Sequence, residues 1–189
     1  MSDKYKIGSK DKAYFVTMTV VGWLDVFAWN NHKLQIVESI KYCQDNKGLT
    51  LFAWCLMPNH LHMIVRADGV PTLSDILRDF KKFTAKAIIK QIKENPESHK
   101  KYMISYFEDT GKPLKRIKKY KFWQDGNQAK EITNNKMFYQ KLEYIHNNPV
   151  RKFIVSKPED YIYSSARNYA ELDSLLEIVI ETSQLITYS

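Results

Sequence analysis

Residues 50–66, TLFAWCLMPNHLHMIVR, constrain the fold of this chain more than any other stretch. Two apolar runs flank Pro58 and Asn59, a pair suited to a turn because proline fixes φ and asparagine bonds readily to its own backbone. The spacing predicts a β-hairpin. Its first arm, 50–57, is apolar on both faces and is expected near the middle of a sheet. The second arm, 60–66, puts two histidines into an otherwise apolar strand. Strand side chains alternate, so His60, His62 and Ile64 share one face while Leu61, Met63 and Val65 share the other. Same-face neighbours stand roughly 6.5–7 Å apart, close enough for two imidazoles to converge on one divalent ion. Two neutral, hydrogen-bonded histidines would give the same pattern without a metal.

Around this hairpin the periodicity alternates between strand and helix. AYFVTMTVV (13–21) reads as a strand, followed by a loop rich in Trp and Phe. Residues 32–48 space Leu34, Val37, Ile40 and Cys43 at helical intervals and close on Gly48. Thr72 and Asp75 form a capping-box-like start to a long helix. Its apolar stripe runs Leu73, Ile76, Leu77, Phe80, Thr84, Ala87, Ile88, Ile92, and Asn95 and Pro96 stop it. The pattern weakens over 96–121, a basic stretch read as an insertion or loop with YMISYF as a short ordered piece. FWQ (122–124) reads as a last short strand and 134–148 as a helix ending at Pro149. Weak helix propensity in DSLLEIVIET closes the chain. The order β-α-β-β-α-β predicts an α+β fold, ferredoxin-like (split βαβ), with helices on one face of an antiparallel sheet and a C-terminal extension.

At 189 residues the chain has room for one domain, set here at 1–170 with a tail over 171–189. Its 29 Lys+Arg against 21 Asp+Glu leave a net charge of +8, which favours a polyanionic partner. No apolar run approaches the ~18–20 residues of a membrane span, and the polar N-terminus lacks a secretory stretch. A cytoplasmic protein is expected. Cys43 and Cys55 lack zinc spacing and are read as reduced residues of a helix face and a strand.

MPNHLHMIV (57–65) resembles the signature of the HUH single-tyrosine transposases, in particular the REP-associated tyrosine transposases. DFKKFTAKAI (79–88), FWQ (122–124) and YIHNNPVRKFIVSKPEDYIYSSARNY (144–169) resemble further motifs of that family, in the same order. The resemblance implies a ferredoxin-like core whose central strand carries the histidine pair. It implies that His60 and His62 hold Mg²⁺ or Mn²⁺ with a third polar ligand from a nearby helix. It also implies that a tyrosine attacks a phosphate of single-stranded DNA, and that DNA hairpins beside the cut site are bound by the basic surface.

In the family pattern the nucleophile follows the FWQ strand on a helix. Counting back from YIHNNP without gaps places that position on Gln128, with Asn127 beside it, and neither side chain can form the aryl ester. Three readings stay open: a substitute tyrosine such as Tyr120 or Tyr139, cleavage by metal-activated water, or a domesticated hairpin binder that cuts nothing. Glu131 is the candidate third ligand and Gln128 the second choice. Lys82, Lys86, Lys90, Lys115, Arg116, Lys118 and Lys119 are the candidate DNA contacts, while Tyr161 and Tyr163 are read as packing residues. The function expected is a transposase-like protein acting on single-stranded hairpin DNA, with metal-dependent strand cleavage implied by the resemblance.

Overall fold

The computed structural model describes residues 7–8, 12–94, 98–114 and 119–180. Four strands, β1 (Tyr14–Thr19), β2 (Leu49–Met57), β3 (His60–Ala67) and β4 (Lys130–Glu131), form one sheet in the order β2-β3-β1-β4. Every neighbouring pair is antiparallel. With α1 (Asn30–Lys47) between β1 and β2, and α2 (Leu73–Glu94) after β3, this is the expected split βαβ arrangement. Pro58 and Asn59 close the hairpin, with Met57 paired to His60.

Local signals act where the sequence puts them. Gly48 ends α1 in the left-handed region (φ 67), its N–H donating to the Cys43 carbonyl. At the start of α2 the Asp75 N–H donates to Thr72 Oγ1, and the Asp75 carboxylate accepts from the Thr72 N–H. The buried stripe of α2 is the expected one, with Ile89 joining it and Ala87 half-buried. Both cysteines are free and buried, and burial raises the Cys43 thiol to about 11 and the Cys55 thiol to about 12.

α1 and α2 pack on each other over the sheet face where Val16, Met18, Leu61, Met63 and Val65 are fully buried. The opposite face, the one with the histidines, also carries Phe15, Phe52 and Ile64, and so needs apolar cover of its own. α4 (Asn135–His146) provides it through Phe138, Leu142 and Ile145, with Phe138 edge-on to Phe52, so helices cover both faces of the sheet and not the single face expected. Asn134 caps this helix by accepting from the Met137 N–H.

Three elements differ from the sequence reading. β2 lies at the outer side of the four strands, not at the middle of the sheet. Its free edge is covered by residues 163–165, which exchange backbone hydrogen bonds with Leu56 and Trp54. That cover explains why a strand in this place is apolar on both faces. Within 96–121, the stretch read as a loop holds α3 (Ser98–Gly111), anchored by the buried Met103 and Phe107. DSLLEIVIET is not helical through residue 180. Leu176 is buried and the Val179 N–H donates to the Leu51 carbonyl, so tertiary pairing overrides a weak propensity. No helix among the described residues is long and apolar enough to cross a membrane.

Candidate active site

The register of β1 against β3 builds the centre of the site. Thr17 pairs with His62 and Thr19 with His60, so both threonines stand on the histidine face, whereas Val16 and Met18 point into the α1–α2 core. The two imidazoles are 4.6 Å apart between centroids, nearly perpendicular, and both are buried.

A tether on each ring fixes its nitrogens. The Asn59 amide NH₂ donates to Asp25 Oδ1 at 2.7 Å, which leaves Asn59 Oδ1 to accept from His60 Nδ1–H, also at 2.7 Å. The lone pair of His60 is thereby assigned to Nε2. His62 Nδ1 bonds to Thr17 Oγ1 at 2.8 Å, and its Nε2 is buried without a hydrogen-bond partner. Burial, with Lys152 nearby and opposed by Asp25, pushes His60 down to about 4. Burial, His60 and Lys141 push His62 down to about 3. Both rings are neutral at pH 7, the form that ligates metal.

A cleft of about 390 Å³ opens over this pair. Phe15 stacks on His62 at 5.5 Å and forms one wall. Tyr144 of α4 forms another, its ring 5.2 Å from His62 and 37% exposed. Asn148, the first residue of α5 (Asn148–Arg151), lines the cleft four residues later and is buried. Tyr144 near the end of α4 and Asn148 at the start of α5 reach the cleft from either side of the junction at Asn147. Lys130, Lys141 and Lys152 line the same cleft with no carboxylate among the lining residues, and Arg151 stands 5.6 Å from the Tyr144 ring centroid.

The candidates on the fourth strand separate. FWQ makes a single bridge, Trp123 to Val20, and the strand proper is Lys130–Glu131. Between them the chain follows β1 as a bulged edge: Thr17 N–H donates to the Asn127 carbonyl, and Gln128 has φ 44. Gln128 and Glu131 are therefore not on a helix. Lys130 pairs with Phe15 and faces the cleft; Glu131 pairs with Tyr14, on the far side of the sheet, where its carboxylate accepts from the Tyr14 hydroxyl at 3.4 Å. Glu131 is thus turned away from the histidines by strand alternation. Gln128 does line the cleft. Among the described residues, no group of three His, Cys, Asp or Glu comes together. The ligands at hand are two neutral imidazoles, the Asn148 amide and the Gln128 amide. With an orphaned Nε2 among them, they fit a divalent ion, and imidazole favours Mn²⁺ over the harder Mg²⁺.

Of the basic candidates, Lys82, Lys86 and Lys90 are exposed on α2 and none lines the cleft. Lys119 is exposed beside Glu108 at 3.8 Å. Lys115, Arg116 and Lys118 lie outside the described residues. Tyr161 is buried with its hydroxyl donating to the Leu56 carbonyl, and Tyr163 is buried beside it, both as packing residues. Neither Tyr120 nor Tyr139 lines the cleft.

Sequence reasoning missed Tyr144, Asn148, Lys141 and Lys152. The signal was present in YIHNNP itself, a tyrosine and an asparagine four residues apart at the end of a capped helix and the start of the next. It also missed Lys81, whose ammonium donates to the carbonyls of Gln124 and Gly126 at 2.8 Å each and to Asn127 Oδ1 at 3.3 Å. Burial lowers this lysine to about 8. Lys81 ties the bulged segment to α2. Lys81→Met should cost about 2 kcal/mol, because it strands acceptors that a charged donor now satisfies. Urea unfolding of the two proteins measures this, and equal midpoints would refute it.

Among curated proteins, none matches this sequence. A solved structure of a REP-associated tyrosine transposase bound to a REP hairpin is similar in fold, with a TM-score of 0.64. The two are 18% identical, over 100% of both chains. The family model described as "Transposase IS200 like" matches residues 25–120, just over half of the chain. His60 and His62 fall inside that stretch and α4 falls beyond it. On that match, which includes the histidine hairpin, the chain belongs to the IS200-like transposase family.

Proposed function

We propose that this protein binds hairpin-bearing single-stranded DNA and cuts it with Tyr144 as the nucleophile. The observation that carries the reading is the placement of Tyr144 of α4 and Asn148 of α5 in the same cleft as His60 and His62. The solved structure of similar fold holds a REP hairpin, which supports the choice of DNA. Tyr144, rather than a residue at the Gln128 position, attacks in this reading, and the protein cuts the DNA it binds.

In this reading Tyr144 Oη attacks the scissile phosphorus and a Tyr–O–P bond forms. The P–O3′ bond breaks, the phenol proton is lost, and the departing 3′ oxygen takes up a proton. A phenol ionises near pH 10, so attack at neutral pH requires help. His60, His62 and Asn148 would hold a divalent ion, which when bound supplies Lewis-acid polarisation of the phosphate. Thr17 and Asn59 orient the two imidazoles. Lys130, Lys141 and Lys152 attract the phosphates and offset the charge that develops on the reacting one.

Incubating the wild type with hairpin-flanked single strands and Mn²⁺ should yield a covalent adduct whose peptide mass maps to Tyr144. Nicking without an adduct, or an adduct on another residue, would overturn the assignment.

A further inference from the structure

Trp23, which lines the cleft, and Phe153, which follows the cleft residue Lys152 in the chain, are exposed aromatic side chains in backbone conformations that their residue types avoid. Trp23 has φ 55 and Phe153 has φ 56, in the left-handed region that bulky residues enter only when the surrounding chain imposes it. Neither is compensated by burial, for Trp23 is 58% exposed and Phe153 95% exposed. By contrast, Trp54 and Trp123 are buried, and Trp29 packs against His32.

The position of Trp23 is built, not incidental. Its ring stands 5.8 Å from that of His60 at 75°, and it lines the cleft. Its carbonyl accepts a 3.3 Å hydrogen bond from the Asn59 amide, the group that also bonds His60 and Asp25. One side chain therefore fixes the histidine and the tryptophan together. Gly22, with φ 66, completes the turn where Tyr106 of α3 leaves no room for a side chain. Phe153 directly follows Lys152, itself a cleft residue, and its N–H donates to the Val150 carbonyl.

We propose that Trp23 is a stacking platform for an unpaired base of the strand whose phosphate enters the cleft, with Phe153 as a second platform on the Lys152 side. The inference rests on the DNA-cleaving reading above. Every base has a π-face, so such a platform is tolerant of sequence but requires the base to be unpaired and accessible. The cleft lysines take the phosphates and the aromatics take the bases. The pair thus selects single-stranded flank over duplex, which keeps its bases stacked within the helix.

Labelled hairpins with and without a short unpaired flank, titrated without divalent metal, test this by fluorescence anisotropy. Trp23→Ala should weaken binding of the flanked hairpin by about five-fold or more, the lower end of base–aromatic stacking. Trp23→Phe should keep most of the affinity, and the fully paired hairpin should change less than about two-fold. Phe153→Ala, a change at a solvent-exposed side chain, should also weaken only the flanked hairpin. A measurement on the wild type needs no variant: an abasic nucleotide at one flank position should cost a similar factor, and Trp23→Ala should add nothing to it. Equal losses on both hairpins, or no abasic position that matters, would overturn the stacking site while leaving the cleaving reading intact. If the wild type binds neither hairpin, the DNA reading itself falls and takes the platform with it.

Discussion

Tyr144→Phe should bind hairpin DNA as the wild type does and form no covalent adduct, with cleavage reduced by roughly 10³-fold or more. The substitution removes one oxygen and keeps the ring, so the contacts of Tyr144 with His62 and Phe15 persist. A partly exposed hydroxyl of this kind should change stability by about 0.5 kcal/mol or less. The variant thus separates chemistry from folding. Gln128→Tyr in the Tyr144→Phe background should not restore the adduct. Gln128 sits on a bulged edge of the sheet rather than at the end of α4 where Tyr144 stands, and misplacement by even ~1 Å can cost on the order of 100-fold. A gel that resolves free from protein-linked oligonucleotide reads both. Residual adduct in Tyr144→Phe would show that another side chain attacks.

Mn²⁺ should raise the melting temperature of the wild type by roughly 5–10 °C at a hundredfold excess over its dissociation constant. The shift should vanish in His60→Ala/His62→Ala, persist unchanged in Glu131→Gln, and shrink in Asn148→Ala. Glu131 lies across the sheet, bonded by Tyr14, so its charge is not part of the site. The cleft lysines make a further difference. Among the described residues no carboxylate lines the cleft, so a cation there meets Lys130, Lys141 and Lys152 with Asp25, behind Asn59, as a partial offset until a phosphate arrives. Mn²⁺ should therefore bind more tightly with the Tyr144→Phe protein already loaded with hairpin DNA, and by linkage the DNA should bind more tightly with Mn²⁺. Calorimetric titration in each order measures the two couplings. Equal Mn²⁺ shifts in wild type and the double-alanine protein would remove the metal from His60 and His62.

The sequence by itself determined the parts governed by short-range rules. Alternation in 60–66 put His60 and His62 on one face, and the Pro58–Asn59 turn set their hairpin. The caps at Gly48 and Thr72 bounded their helices. The cluster of motifs, from MPNHLHMIV to YIHNNP, was sufficient to indicate the family, because each is a local string. What tertiary structure decided was which face each distant residue meets. Glu131 and Lys130 are neighbours in the chain, yet the register against β1 sends one to each side of the sheet. The gap-free count back from YIHNNP runs from α4 through β4 to the bulged edge at 124–129, so the position it reaches, Gln128, stands on the sheet edge and not on a helix. The packing of α4 on the histidine face brings Tyr144 and Asn148 to His62 across more than 80 residues of sequence. No local period encodes that contact, since it arises from apolar surface on two separate elements, Phe52 and Phe138 among them, finding cover in each other.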